Sequence, residues 1–203
     1  TALRLPPVLA AYGRRYPDVD ISIDTGTSAS LLEAVLERRL EAAFVAGPVS
    51  HADLLVQPLL HEELVLVTAP WIAGFDNRAG QNPLKLIVFR AGCTYRKHLE
   101  SLLAARGIVG ARRLEFGTLD GIVGCAAAGI VGCAAAGIGV SLLPRAVVAR
   151  AAAEGRVALH ALPPEEARVE TVLVRRHDAF VSTALACFID LAREHLVEAA
   201  TAA

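Results

Sequence analysis

An eight-residue unit, GIVGCAAA, occurs twice in succession, at residues 121–128 and 129–136. The second copy runs into GIGVSLLP, an apolar, strand-like ending closed by Pro144. With one copy removed, residues 117–144 have the pattern of a strand, a polar turn, a short helix of small residues, a tight turn and a second strand. This order is typical of the wall of a ligand cleft in an open α/β domain. The segment therefore constrains both the fold and the search for a binding site.

The repeated segment also raises the question of a membrane span. Residues 121–143 form a run of 23 residues without a charge, and a transmembrane helix needs about 20 apolar residues. However, the run is mostly Gly and Ala, lacks flanking aromatic residues, and shrinks to 15 uncharged residues when one copy is removed. These properties favour a buried helix lined with small residues. We therefore expect no membrane partner.

Composition indicates an ordered globular protein, since 54% of the residues are hydrophobic and 20% are charged. The net charge of −1 and the absence of a dense basic run give little attraction to a phosphate backbone. The four cysteines show neither C-x-x-C nor Cys/His spacing, which argues against a structural metal and favours reduced thiols in a cytoplasmic protein. Gly137 and Gly139 lack the rest of a dinucleotide fingerprint, so we expect no nucleotide and no other cofactor.

Strand and helix patterns alternate along the chain, which predicts an α/β fold with largely parallel sheets. Ser30-x-x-Glu33 has the form of a capping box and predicts a helix that runs to Leu40. The other helices are predicted over residues 4–15, about 94–106, from Thr118 into the repeats, 144–155, and from Ser182 onward. The strands are predicted at residues 19–25, 42–47, 54–60, 63–69, 84–89, 112–116, 137–144, 156–162 and 168–176.

Two loop-rich stretches, residues 70–83 and 161–167, bracket the middle of the chain. A chain that leaves one lobe near residues 66–70 and returns near residues 162–168 would form two lobes joined by two crossing strands. Such bilobed α/β proteins hold a ligand in the cleft between the lobes.

Three segments carry a resemblance to a known family: YPDVDISIDTGTSASLLEAVLERRLEAAFVAGPV, then PLLHEELVLVTAP, then the single-copy version of LDGIVGCAAAGIGVSLLP. In this order they resemble the effector-binding domain of LysR-type transcriptional regulators. The resemblance implies two Rossmann-like subdomains joined by two crossing strands, similar to type 2 periplasmic binding proteins. Subdomain I would comprise residues 1–66 and 168–203, and subdomain II residues 67–167. The winged helix-turn-helix, the linker helix and the first strand of such a domain are expected to be absent from this sequence.

The resemblance also implies a small effector, often an organic anion, held by loops at strand ends and helix N-termini. The physics suits an anion, because free N–H groups and the positive end of a helix favour negative charge. The alternative for these residues is plain helix capping, which uses the same chemistry. The matching positions are small or carry a hydroxyl or thiol group, and they are Thr1, Thr27, Ser28, Gly92, Cys93, Thr94, Gly117 and Thr118.

The resemblance implies a ligand-sensing domain that acts by altering oligomer geometry on DNA. The regulator would be a homodimer or homotetramer and would contact DNA only through its missing N-terminal domain. The alternative is a solute-binding protein of a transporter, which shares the fold. A third hypothesis is an enzyme that uses Cys93, near Arg90 and Arg96, or a histidine. Since no nucleophile, base and orienting group occur together, we expect no catalytic residue. A small residue lining a turn is the favoured interpretation of Cys93.

Overall fold

The computed structural model describes residues 5–72, 85–116 and 125–201. Helices and strands follow one another along most of this length, as the sequence patterns predict. The helices are α1 Leu5–Arg15, α2 Ser28–Leu36, α3 Thr94–Ala105, α4 Cys125–Ala135, α5 Arg145–Ala153, α6 Pro164–Ala167 and α7 Thr183–Thr201. The strands are β1 Ala42–Ala46, β2 Leu54–Thr68, β3 Lys85–Phe89, β4 Arg112–Phe116, β5 Ser141–Pro144, β6 Ala158–His160 and β7 Arg168–Arg176.

The chain divides into two compact units. The first contains Thr1–His61 and Glu170–Ala203, and the second contains Glu62–Val169. Both divisions fall inside a strand, because β2 and β7 each run from one unit into the other. These two strands are neighbours in the strand order β1-β7-β2-β5.

The first unit is built on the antiparallel pair of β1 and β7, in which Phe44 lies opposite Leu173. One apolar cluster of this unit joins α1 and α7, because Val8 of α1 and Leu196 of α7 are buried together. The hydroxyl of Tyr12 donates a hydrogen bond of 2.9 Å to the backbone oxygen of Ala184. The predicted start of the last helix is confirmed, since Leu185 N donates to Ser182 Oγ at 3.1 Å.

The predicted strand at residues 19–25 is wrong, because this segment has no strand structure. Ile21 and Ile23, expected on a buried face, are 42% and 47% exposed. Alternation of apolar and polar residues is not sufficient for a strand, which exists only where a neighbour takes up its backbone hydrogen bonds. No strand in the described part of the chain pairs with this segment, while β1 pairs with β7.

Helix α2 begins and ends earlier than the capping box predicts. Its N-cap is Thr27, whose side chain accepts from Ser30 N, so Ser30 lies inside the first turn. The helix ends at Leu36, because Arg38 adopts a left-handed conformation with φ of 63°. Arg39 N and Leu40 N then both donate to the oxygen of Ala34.

In the second unit, β2 pairs antiparallel with β5 and β6, whereas β3 and β4 run parallel. The prediction of largely parallel sheets is therefore wrong for the described strand pairs. A further parallel contact is the bridge between Leu86 and Val140. The alternation of helices and strands suggested parallel sheets, but β2 runs in the direction opposite to β5 and β6.

The two strands predicted at residues 54–60 and 63–69 form one strand, β2, of 15 residues. His61 and Glu62 lie between the two predicted strands. The alternation of the strand continues through them, because His61 and Glu63 are exposed while Glu62 between them is buried. Successive side chains of a strand point to opposite faces, so polar residues at alternate positions can face solvent without ending the strand.

Helix α4 runs without a break across the junction of the two repeats at residues 128 and 129. Ile130, Val131 and Ala134 of the second copy are buried in the core of the second unit, with Ile87 and Leu143 among their neighbours. From the sequence we expect the duplication to lengthen the helix, and the alternative is that one copy bulges out of it. Residues 121–124 of the first copy lie outside the described residues, so this stays a prediction. The core position itself is occupied by the second copy.

A close approach of backbone at Gly139 explains why the second copy takes this position. A Cβ atom built on Gly139 would overlap the oxygen of Lys85 and lie 2.9 Å from its carbonyl carbon. Gly139 is the third residue after the second copy, whereas the third residue after the first copy is Val131. If the first copy occupied the core position, Val131 would have to replace Gly139 and its side chain would collide with Lys85.

Two further findings bear on the sequence predictions. Among the described residues, no helix combines the length and apolar character needed to cross a membrane. The cysteines Cys93, Cys133 and Cys187 are free thiols.

Candidate ligand-binding site

Thr27 and Ser28 lie at the N-terminus of α2 in the first unit. The Thr27 hydroxyl accepts from Ser30 N at 3.2 Å and donates to Ser30 Oγ at 3.2 Å. Ser30 Oγ in turn donates to the backbone oxygen of Thr27 at 3.0 Å. Thr27 therefore caps the helix, and its hydroxyl can donate to a ligand only by leaving the exposed Ser30 hydroxyl. Ser28 is the first residue of α2.

Gly92, Cys93 and Thr94 lie between β3 and the N-terminus of α3 in the second unit. Gly92 has a φ of 91°, a conformation that residues with a side chain rarely adopt. Cys93 is the N-cap of α3, and Thr94 is the first residue of the helix. Cys93 N donates to the oxygen of Arg90 at 3.2 Å, and Lys97 N donates to the oxygen of Cys93 at 3.1 Å. The turn thus directs the positive end of α3 toward the end of β3, an arrangement suited to binding an anion.

Burial raises the pKa of the Cys93 thiol above its ordinary value, and the opposing effects of nearby N–H groups and of Arg96 do not overcome it. The thiol is therefore protonated at neutral pH, and a thiol is a far weaker nucleophile than a thiolate. The favoured interpretation of Cys93 as a small residue lining a turn agrees with this environment. The hypothesis of a reactive cysteine does not.

A buried carboxylate lies beside the first turn of α3. The Tyr95 hydroxyl donates a hydrogen bond of 2.8 Å to Glu62 Oε2, and Glu62 is buried. Burial, followed by the negative charge of Glu62, raises the pKa of Tyr95 well above its ordinary value. The phenol therefore stays protonated and holds the start of α3 against strand β2. No local pattern predicts this pair, because Glu62 and Tyr95 are 33 positions apart in sequence.

Arg96, named above only as a neighbour of Cys93, joins several elements in the structure. Its guanidinium contacts the backbone oxygen of Phe89 and the carboxylates of Glu100 and Glu115. Burial lowers the pKa of Arg96, but the hydrogen bonds to Glu115 and Glu100 outweigh this effect and raise it. The i, i+4 spacing of Arg96 and Glu100 was the available signal in the sequence.

Two groups of predicted site residues are thus described, one at the start of α2 and one at the start of α3. They belong to different units. Thr1, Gly117 and Thr118 lie outside the described residues, as does the predicted cap of the repeat helix by Thr118. Phe116, which precedes Gly117, is the last residue of β4 and lies opposite Phe89 in the parallel pair.

Several histidines make hydrogen bonds within the described part of the chain. Within the ranges that the structure describes, no group of three His, Cys, Asp or Glu residues is placed to hold a metal ion. His98 forms a hydrogen bond of 2.7 Å between its Nε2 atom and the backbone oxygen of Glu166. His160 Nε2 lies 2.7 Å from Thr68 Oγ1, and burial lowers the pKa of this imidazole.

The comparisons with known proteins agree over nearly the whole chain. The family model of the LysR substrate binding domain matches residues 1–197. The HTH-type transcriptional regulator GltR of Bacillus subtilis is 37% identical over 197 residues, which are 96% of this chain and 63% of that protein. The chain therefore spans somewhat less than two thirds of the length of this relative.

Solved structures show the same fold at low sequence identity. The effector binding domain of QuiR in complex with shikimate has a TM-score of 0.72 at 18% identity, covering 96% of this chain and 90% of that one. The regulatory domain of Synechocystis CcmR in complex with 2-PG has a TM-score of 0.76 at 17% identity, covering 95% and 90%. The expected architecture of two Rossmann-like subdomains joined by two crossing strands, similar to type 2 periplasmic binding proteins, is confirmed.

Proposed function

This chain belongs to the LysR family, and on that premise we propose that it is the ligand-sensing domain of a bacterial LysR-type transcriptional regulator. The observation that carries the proposal is the family match over residues 1–197. The regulators found as relatives favour this function over that of a transporter's solute-binding protein. The domain senses a ligand and does not turn over a substrate.

The effector is a small organic anion. Its binding groups are polar groups of Thr27 and Ser28 at α2 and of Gly92, Cys93 and Thr94 at α3, together with those of Thr1, Gly117 and Thr118. Helix N-termini support this choice because their dipole and N–H groups favour negative charge. The QuiR domain, which shares the fold, is in complex with shikimate, a small carboxylate. Ligands of related domains thus have the proposed chemistry.

The regulator acts in the cytoplasm as a homodimer or homotetramer and contacts DNA through an N-terminal domain outside this chain. Residues 1–66 and 168–203 serve as regulatory subdomain I, and residues 67–167 as subdomain II. Effector binding alters the geometry of the oligomer on DNA. A ligand can shift such an equilibrium only by its difference in affinity for the two states.

A thermal-shift screen tests the effector class. The chain is melted with a panel of small carboxylates and phosphate monoesters, and each carboxylate is paired with its neutral amide. A ligand present at 100 times its Kd stabilises the folded state by about 2.7 kcal/mol, which corresponds to a rise in Tm of roughly 5–11 °C for a chain of this size. We expect at least one anion to raise Tm and its amide to have no effect. If no member of the panel shifts Tm, or if the amides act equally, the proposed effector class is wrong.

A further inference from the structure

The side chain of Arg96 joins three elements at one end of the second unit. It lies in the first turn of α3 and is only 13% exposed. Its Nη1 atom donates to the backbone oxygen of Phe89 at 3.2 Å and also to Glu115 Oε2. Its Nε atom donates to Glu100 Oε1 at 3.2 Å. One guanidinium thus contacts β3, β4 and the next turn of its own helix.

These contacts close the loop that carries the candidate site residues of this unit. Phe89 is the last residue of β3, and residues 90–95 separate it from Arg96. The bond from Arg96 to Phe89 therefore ties the two ends of this loop together. The loop contains Gly92, Cys93 and Thr94. Glu115 is the penultimate residue of β4, so the same side chain also fixes the loop against the neighbouring strand.

The positive charge of Arg96 is balanced by two carboxylates of the protein. Glu100 and Glu115 both contact it, and Glu100 also accepts from Arg113 Nε at 2.9 Å. Charge-assisted hydrogen bonds of this kind are stronger than neutral ones and fix geometry. Arg96 is thus suited to hold neighbouring groups in place, whereas direct binding of an anion would require it to leave two carboxylates.

We propose that Arg96 is a positioning residue that holds residues 90–95, and with them the N-terminus of α3, in the conformation that binds the effector. This inference rests on the proposed function for the identity of the site. The clamp itself concerns the free protein. Loss of the hydrogen bonds that Arg96 makes to charged groups should increase the population of the open loop by about tenfold or more.

Thiol labelling of the free protein tests the clamp. Arg96→Gln and the wild type are treated with N-ethylmaleimide at neutral pH, and the modification of Cys93 and Cys133 is followed by peptide mass spectrometry. We expect Cys93 to react about tenfold or more faster in the variant, with the rate at Cys133 unchanged. Since Arg96 lowers the pKa of the Cys93 thiol, its loss alone slows the reaction. An acceleration therefore reports access to the loop.

Arg113→Gln is the matched control, because Arg113 also pairs with Glu100 but is 53% exposed and lies opposite Leu86 in the parallel pair, where Phe89 is opposite Phe116. It should leave both labelling rates unchanged. Glu115→Gln keeps an acceptor for Arg96 and should give a smaller acceleration at Cys93, which preserves the test if Arg96→Gln does not fold. An unchanged rate at Cys93, equal acceleration at Cys93 and Cys133, or the same result with Arg113→Gln would overturn the proposal. No effector is used, so failure of the thermal-shift screen is a separate result.

Discussion

Replacing Gly139 by Ala tests the backbone contact that places the second repeat copy in the core. The added Cβ overlaps the oxygen of Lys85, so the backbone of the two segments must move apart. This movement threatens two hydrogen bonds, Val140 N to the oxygen of Lys85 at 3.0 Å and Ile87 N to the oxygen of Val140 at 2.8 Å. Each bond is worth about 0.5–1.5 kcal/mol and overpacking costs about 1–3 kcal/mol. We expect a loss of about 2–6 kcal/mol in the free energy of unfolding.

Gly132→Ala is the matched control within α4. A Cβ at Gly132 meets no atom within 4 Å, and an exposed helical Gly is less stable than Ala by about 0.5–1 kcal/mol. This variant should therefore be more stable than the wild type. Urea unfolding followed by the fluorescence of Trp71, the one tryptophan of the chain, reports on the second unit. If the free energy of unfolding of Gly139→Ala lies within about 0.5 kcal/mol of the wild type, or changes with the same sign in both variants, the contact with Lys85 does not exclude a side chain at position 139.

Four further predictions concern the site, the repeats, DNA and pH. Thr27→Val should weaken effector binding by about 1.5–3 kcal/mol, or roughly ten- to a hundredfold, in calorimetry, while Thr27→Ser keeps both the helix cap and the affinity; equal affinity of both variants would move the site elsewhere. Deletion of residues 129–136 should change effector affinity more than the thermal melt, and unchanged affinity and regulatory response would show that the duplication is neutral. The chain alone should give no sequence-specific gel shift at physiological salt, whereas the protein with its N-terminal domain should bind DNA as a dimer or tetramer. Hydrogen bonds from Arg145 lower the pKa of Glu63. The ionised Glu63 therefore stabilises the folded state above its unfolded pKa of about 4.3, and this stabilisation is lost as pH falls through the folded pKa. Glu63→Gln should weaken the dependence of the free energy of unfolding on pH in this acidic range.

Much of the fold followed from local patterns. The helix expected over residues 4–15 and the strand over residues 112–116 occur with nearly the expected bounds, because each is a short, uninterrupted pattern. The failures depend on partners far away in sequence. Residues 19–25 alternate like a strand but have no described strand beside them. The charged residues around Glu62 break the apolar run of the sequence, yet the alternation of buried and exposed residues in β2 continues through them.

The types of residue at the candidate site could be predicted from the sequence, but their contacts could not. A hydroxyl or small residue before a helix is visible in sequence, but its role as a cap is not separable there from a role in ligand binding. The contacts of Thr27 with Ser30 show that capping occupies its hydroxyl in the free protein. The contact of Arg96 with Glu115 and that of Tyr95 with Glu62 could not be predicted, because the fold brings these side chains together across 19 and 33 positions.

The central claim is that a small anion binds at the N-termini of α2 and α3. A titration followed by ¹⁵N–¹H correlation spectra tests this claim most directly, with the anion that gives the largest rise in Tm in the thermal-shift screen. The account predicts that the amide signals of residues 28–30 and 94–97 move with one common Kd, and that the neutral amide of the same compound leaves them in place. Saturable shifts confined to other parts of the chain would contradict it.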